Sequence, residues 1–243
     1  PARSEMCIRD STSIGALVAI IFFAVAFFGN PISRVLANKA ANDYLKTHYT
    51  ELELEKERAF YNFKDAKYVV RLQDKNSPDS KFELSFDSLG RLKYDSYGDR
   101  TMNTFRRYID FLNKLSDEIA NENGLDFKLR LSPSDEKYYR YSLHVDQVFD
   151  ANDLPSPVDA HFESYAEGPS LEGIMDNLKK MQTALSKRKI PVESFSGMII
   201  PLADKAEKGK AETWRNALSV FDVPENVIID GDMNCLLYTS LSG

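Results

Sequence analysis

The sequence predicts an α+β protein with an N-terminal transmembrane helix and two small modules that follow it, each built from helices on an antiparallel sheet. Three observations carry this prediction. An apolar run without a charged or polar side chain extends from Ile14 to Phe28. Apolar residues recur at helical spacing in three later segments, and between those segments the apolar period is two. The length of 243 residues suits one large domain or two small ones.

Composition excludes several classes of protein. The chain is 43% hydrophobic and 12% aromatic, which is more aromatic content than a disordered segment normally carries. Its net charge is −6. Because affinity for phosphates comes mainly from an excess of Lys and Arg, we expect no nucleic-acid partner.

Both ends of the sequence are predicted to be artefacts. Met6–Ser11 and Cys235–Ser240 are what two reverse-complementary DNA strings encode, and they look like a translated sequencing adapter. Residues 1–11 and 235–243 are therefore set apart from fold reasoning. Both cysteines fall in these segments, so no disulfide, zinc–thiolate site or cysteine nucleophile is predicted.

The apolar run predicts a truncated transmembrane anchor over residues 12–29. Fifteen helical residues reach only ~22 Å of the ~30 Å hydrocarbon core, a shortfall that loss of upstream residues explains. A cleaved signal peptide is the first alternative, since Ala24-Val25-Ala26 offers small residues at a cleavage-like spacing. A buried core helix is the second, but such a helix normally keeps a polar face. We expect a single-pass protein of the cell membrane whose soluble portion is extracytoplasmic.

The first module is predicted over residues 30–98. Asn30-Pro31 suits the start of a helix, and apolar spacing carries that helix to about Thr47. Alternating apolar residues then indicate an antiparallel meander with one buried face, its turns at Asn76–Asp79 and Asp87–Gly90.

The second module is predicted over residues 99–234. One helix begins at Asp99 or Thr101 and ends near Gly124, and another begins at Gly168-Pro169-Ser170 and ends before Pro191. Polar residues 204–212 indicate a loop. Strands are expected over residues 125–131, 139–145, 158–162, 195–202, 217–221 and 227–229.

Several segments resemble the YfjL-like family. The strings are GNPISRVLANKAANDYLKTHY, YNFKDAKYVVRL and FDSLGRLKYDSYGDR, with a looser likeness at FDVPENVI. The resemblance covers Gly29 to Arg100 well and the rest loosely. It implies an anchored, extracytoplasmic, two-part protein of Gram-positive bacteria with no assigned activity. No catalytic residue is transferred by it.

The strongest candidate site in the sequence consists of His144, Asp146, Asp159 and His161. Residues two apart in a strand share a face, and a hairpin connection over residues 150–157 would bring the two pairs together. Two imidazoles and two carboxylates suit Zn²⁺ or another divalent ion. The competing interpretation is the ordinary polar face of a half-buried sheet.

Other motifs favour structure over chemistry. The sequence contains no nucleophile elbow and no phosphate-binding loop. Tyr138, Tyr139 and Tyr141 suit a sugar or peptide groove or, alternatively, cross-strand packing. Trp214 is interpreted as a core or edge anchor.

The sequence therefore predicts a non-catalytic binding or interaction module of the cell envelope. Its expected partners are the membrane and an unknown envelope protein or polymer, and no cofactor is expected. The alternative is a metal-dependent envelope hydrolase that uses His144, Asp146, Asp159 and His161.

Overall fold

The computed structural model describes residues 25–135, 142–206, 214 and 216–236. This part of the chain is α+β and has two sheets. The chain divides into two compact units, residues 1–103 and 104–243. The division lies inside the first turn of a helix, a few residues beyond the 98/99 boundary that the sequence indicates.

The first unit places one long helix against an antiparallel sheet. The strand order is β1-β3-β4-β5, and β2 also pairs with β3. A short 3₁₀ turn, Tyr97–Asp99, follows the last strand. The elements are α1 (Pro31–His48), β1 (Leu54–Lys56), β2 (Phe60–Asn62), β3 (Lys67–Asp74), β4 (Lys81–Phe86) and β5 (Leu92–Asp95).

Local chemistry sets the start of α1. The Asn30 side chain accepts a hydrogen bond from the Ile32 backbone N–H at 2.8 Å, and Pro31 occupies the first helical position. Gly29 adopts a φ of +72°, and a Cβ there would lie 2.6 Å from the Tyr61 side chain. Only glycine satisfies both demands at once.

The buried face of α1 is made of small residues. Ala37 and Ala41 are fully buried, which brings the helix backbone close to the sheet. The larger side chains of this core come from the two central strands. They are Tyr68, Val70, Leu72, Phe82, Leu84 and Phe86.

The prediction of a transmembrane helix over residues 12–29 is wrong. Among the residues that the structure describes, no helix combines the length and the apolar character that a membrane crossing needs. Residues 12–24 lie outside those residues, and the helical residues 25–28 end at Gly29 rather than continuing into α1. Helix α1 has 18 residues but carries Arg34, Lys39 and Asp43, and each such charge costs about 2.5–3.5 kcal/mol at a bilayer centre.

Two further predictions depended on that helix and are corrected with it. One is the single-pass cell-membrane location with an extracytoplasmic soluble portion, and the other is the membrane as a partner.

The second unit packs helices on a mixed sheet of order β6-β7-β8-β9. A 3₁₀ turn, Leu202–Asp204, follows β8. The elements are α2 (Thr101–Glu122), β6 (Lys128–Pro133), β7 (Val158–Ala166), α3 (Leu171–Lys187), β8 (Val192–Pro201), β9 (Leu218–Val223) and α4 (Glu225–Asp230).

The expectation of a wholly antiparallel second sheet is not met. Strands β7 and β8 pair in parallel, whereas β6 with β7 and β8 with β9 are antiparallel. The 17-residue helix α3 connects β7 to β8. A parallel pair needs such a crossover, because a tight turn reverses the direction of the chain.

Two predicted strands also differ from the structure. Residues 139–141 of the segment 139–145 lie outside the described residues, and the described remainder, 142–145, forms no strand. Residues 227–229 belong to α4 instead. Val227 and Ile228 are buried, Ile229 is 65% exposed, and Gly231 ends the helix with a φ of +69°.

The predicted terminal artefacts fall mostly beyond the described residues. Residues 1–11 and 237–243 are outside them, whereas Cys235 and Leu236 are inside, and Leu236 is fully buried.

Packing in the core of the second unit fixes which side chains of β6 and β7 lie on the face of the sheet that points away from the helices. Residues that alternate along β6 and β7 are buried with the apolar stripes of α2 and α3. Intervening residues point to the opposite face because successive side chains of a strand alternate. That face carries Lys128, Arg130, Asp159, His161 and Glu163, all exposed or half-buried.

Candidate binding groove

The structure places two of the predicted metal ligands, Asp159 and His161, on β7. This strand has β6 on one side and β8 on the other. Arg130 of β6 and Ser196 of β8 are the register neighbours of His161. Asp159 is flanked in the same way by Ser132 and Ser194.

The other two predicted ligands, His144 and Asp146, lie in an irregular segment. The His144 backbone N–H donates to the Gln147 side chain at 3.1 Å, and Asp146 has a φ of +62°. Because both neighbours of β7 are other strands, the hairpin that would join the two pairs does not form. Among the described residues, no group of three or more His, Cys, Asp or Glu side chains lies close enough to hold a metal ion.

Serine, histidine and aspartate on this face do not form a nucleophilic triad in the described part of the chain. The Ser194 hydroxyl donates to Asp159 Oδ1 at 2.7 Å. The Ser196 hydroxyl accepts from the Asp222 backbone N–H at 3.2 Å. Burial lowers the pKa of His161, with Arg130 acting in the same direction and Glu163 against it. In a catalytic triad the serine hydroxyl is hydrogen-bonded to the imidazole, and the imidazole is hydrogen-bonded to the carboxylate. Here Ser194 is bonded directly to the carboxylate of Asp159.

An open groove of about 610 Å³ lies at one end of the same sheet face. Its walls come from the residues that lead into β6, from β6 and β7 themselves, and from Trp214. The lining residues are Leu125, Asp126, Phe127, Lys128, Arg130, Glu163, Ser164, Tyr165 and Trp214.

Two aromatic rings give the groove rigid surfaces. Trp214 is the only tryptophan in the sequence, and 61% of it is exposed. Tyr165 is half-buried, and the Lys205 Nζ lies 4.8 Å from the centroid of its ring. A cation at that distance is attracted by the ring quadrupole. The groove therefore combines one freely exposed ring with one ring that carries a cation.

Charged side chains of both signs line the groove next to these rings. Lys128 faces Glu163 in the strand register, and Arg130 faces His161. The described residues supply no ion pair or hydrogen bond to the side chains of Lys128, Arg130 or Glu163. Asp126 differs, because its carboxylate lies 3.4 Å from Lys180 Nζ. The groove thus holds two cations and one carboxylate that have no protein partner among the described residues.

The sequence pattern does not predict this groove. It indicates a core or edge anchor at Trp214 and no role for Lys128 or Arg130. The available signal was the alternation along β6, where Leu129 and Leu131 are buried between exposed Lys128, Arg130 and Ser132. The neighbours of those residues are set by the β6–β7 register and by the position of Trp214. Both depend on contacts between residues that are far apart in the sequence.

Comparison with known proteins gives one match. Residues 10–96, a little over a third of the chain, match the family model described as YfjL-like, N-terminal domain. No curated protein and no solved structure matches significantly. The match confirms the resemblance to the YfjL-like family over this N-terminal part of the chain.

Proposed function

We propose that the chain is a non-catalytic binding module and that the groove of its second unit holds the ligand. One observation carries the proposal. An exposed indole, Trp214, lines a concave surface together with Arg130, Lys128 and Glu163, whose charges have no partner among the described residues. Pockets of this kind use apolar surface for affinity and a few polar groups for orientation.

Charge and exposure at the groove support binding to a polar ligand. An ion pair within the protein would satisfy Lys128 and Glu163, yet the two side chains remain separate. A ligand that reaches both would form charge-assisted hydrogen bonds, which are stronger than neutral ones. The alternative of a metal-dependent hydrolase has no such support, because His144 and Asp146 are not strand neighbours of Asp159 and His161.

The proposal is tested by screening the full chain for ligands with Trp214 as the reporter. A panel of acidic and neutral oligosaccharides, short peptides and inorganic anions is titrated into the protein while its fluorescence is followed. At least one class should change the fluorescence with saturation. Trp214→Phe should then weaken binding of that ligand in calorimetry.

The matched control is Phe221→Ala, because Phe221 is an exposed aromatic residue of the same unit that does not line the groove. This variant should bind like the original chain. Absence of saturable binding across the panel would contradict the proposal, as would equal losses from the two variants.

A further inference from the structure

We infer that the groove recognises an acidic sugar, that is, a pyranose ring carrying a carboxylate, and that Arg130 is the residue that selects the carboxylate. This inference rests on the proposed binding function and specifies its ligand class. Arg130 is exposed on β6, lines the groove and has no ion pair within the described residues. The guanidinium group presents a planar fork that matches a carboxylate with two parallel hydrogen bonds.

Neighbouring charges favour an anionic ligand that also carries hydroxyl groups. Lys128 lies two residues from Arg130 on the same strand face, and Glu163 lies opposite Lys128. An anionic group next to Arg130, whether carboxylate or phosphate, is repelled by the Glu163 carboxylate. Sugar hydroxyls, in contrast, can donate hydrogen bonds to Glu163, since an ionised carboxylate only accepts. Asp126 also lines the groove, but it is paired with Lys180, so the unpaired groups are two cations and one carboxylate. These groups suit a ligand that carries one negative charge and several hydroxyl groups.

The aromatic rings fit the flat face of a sugar. Trp214 leaves more than half of its surface in contact with water, and Tyr165 stands on the next strand. A rigid indole gives a large contact area at a low cost in side-chain entropy. Lys205 already lies over the Tyr165 ring, so the indole is the freer platform for a ligand ring.

The outer edge of β6 disfavours an extended peptide as the ligand. A peptide usually binds a sheet by adding a strand to an open edge through backbone hydrogen bonds. Among the described strands β6 lies at the edge of this sheet, but the Leu131 backbone N–H already donates to the buried Ser116 hydroxyl of α2 at 3.0 Å. The groove on the sheet face remains, and it offers side chains rather than backbone groups.

The test compares two forms of one saccharide on the full chain. Trigalacturonic acid and its fully methyl-esterified form differ in charge but share a ring skeleton. The free acid should bind at least about tenfold more tightly than the ester, as expected for one charge-assisted pair. Binding is measured by Trp214 fluorescence and by calorimetry, and this arm needs no variant.

A variant then assigns the preference to one residue. Arg130→Gln should weaken binding of the free acid about tenfold and leave the ester within about twofold, so that the preference disappears. The control is Arg58→Gln, since Arg58 is an exposed arginine of the first unit. It should change neither affinity. Circular dichroism confirms that both variants are folded.

Inorganic phosphate and an Asp/Glu-rich peptide form the remaining arms. Equal affinity for acid and ester, absence of binding to either, or tighter binding of phosphate or of the peptide would each overturn the inference. If another compound of the panel binds at Trp214, the proposed binding function survives that result. If no compound binds, the two proposals fail together.

Discussion

Gly197 shows how tightly the core of the second unit is packed at the scale of one residue. It lies on β8, and a Cβ at this position would be 2.0 Å from Cε1 of the fully buried Phe162. No side-chain atom fits there without movement of the Phe162 ring or of a strand. We therefore expect Gly197→Ala to lower the free energy of unfolding by about 1–3 kcal/mol.

The measurement is urea unfolding followed by the fluorescence of Trp214, which belongs to the same unit. Gly168→Ala is the matched control, because a Cβ at Gly168 meets no atom within 4 Å. Its effect should stay within about 0.5 kcal/mol. Equal effects of the two substitutions would contradict this account of the packing.

At the scale of elements, periodicity in the sequence predicts what local chemistry determines. Helices α1, α2 and α3 occur where apolar spacing and end signals place them, since Asn30 and Ser170 each accept a backbone hydrogen bond at a helix start. Three β-branched residues in a row favour a strand, and the sequence predicts one over Val227-Ile228-Ile229. The αL turn at Gly231 and burial of only one side make the segment a helix.

Pairing between strands is less accessible to sequence reasoning. The sequence predicts one hairpin that joins the residues around His144 and His161, yet the described strands next to β7 are β6 and β8. The crossover through α3 decides this arrangement, and it depends on packing between segments far apart in the chain. The candidate metal site depended on that pairing, and the groove at Trp214 depends on the pairing that does form.

A hydrogen-bonded cluster links α1 to the end of β5 and predicts a pH dependence. The hydroxyls of Tyr44 and Tyr49 both donate to Asp95 Oδ2, at 3.0 and 2.5 Å. Burial and the carboxylate raise the pKa of both tyrosines. The folded state thus keeps phenolic protons that the unfolded chain loses above about pH 10, so the free energy of unfolding falls as the pH rises beyond that value.

Tyr49→Phe should expose this contribution. At pH ~8 the variant should be less stable than the original chain, because Asp95 loses one of its donors, and at pH ~11 the difference should be smaller. Denaturant unfolding followed by far-UV circular dichroism measures the free energy of unfolding at each pH. Asp95→Asn should likewise reduce the change in that free energy between the two pH values. A stability difference that is the same at the two pH values would show that Tyr49 keeps an ordinary pKa.

At the scale of the whole molecule, the two units have separate cores. Buried residues of one core lie between Ala37 and Phe86, and those of the other lie between Phe105 and Leu236. The YfjL-like match covers residues of the first unit alone. The predicted organisation into two α+β modules follows from two separate runs of apolar alternation, each accompanied by helices. The prediction of a transmembrane helix rests on the apolar character of residues 14–28, and the described residues include no helix that supports it.

Separate cores predict that the second unit folds without the first. A fragment of residues 101–243 keeps the whole of α2 and the core around Phe162, and its length is typical of one domain. We expect it to unfold cooperatively. The midpoint of its urea unfolding, followed by Trp214 fluorescence, should lie close to that of the full chain. A shorter fragment, residues 104–243, removes the first helical turn, Thr101–Asn103, and should be less stable because the buried Thr104 then lies at a frayed helix end. Urea unfolding of the three proteins compares these midpoints. If the longer fragment is insoluble or unfolds without cooperativity, its core needs residues of the first unit, and the division into two folding units is wrong.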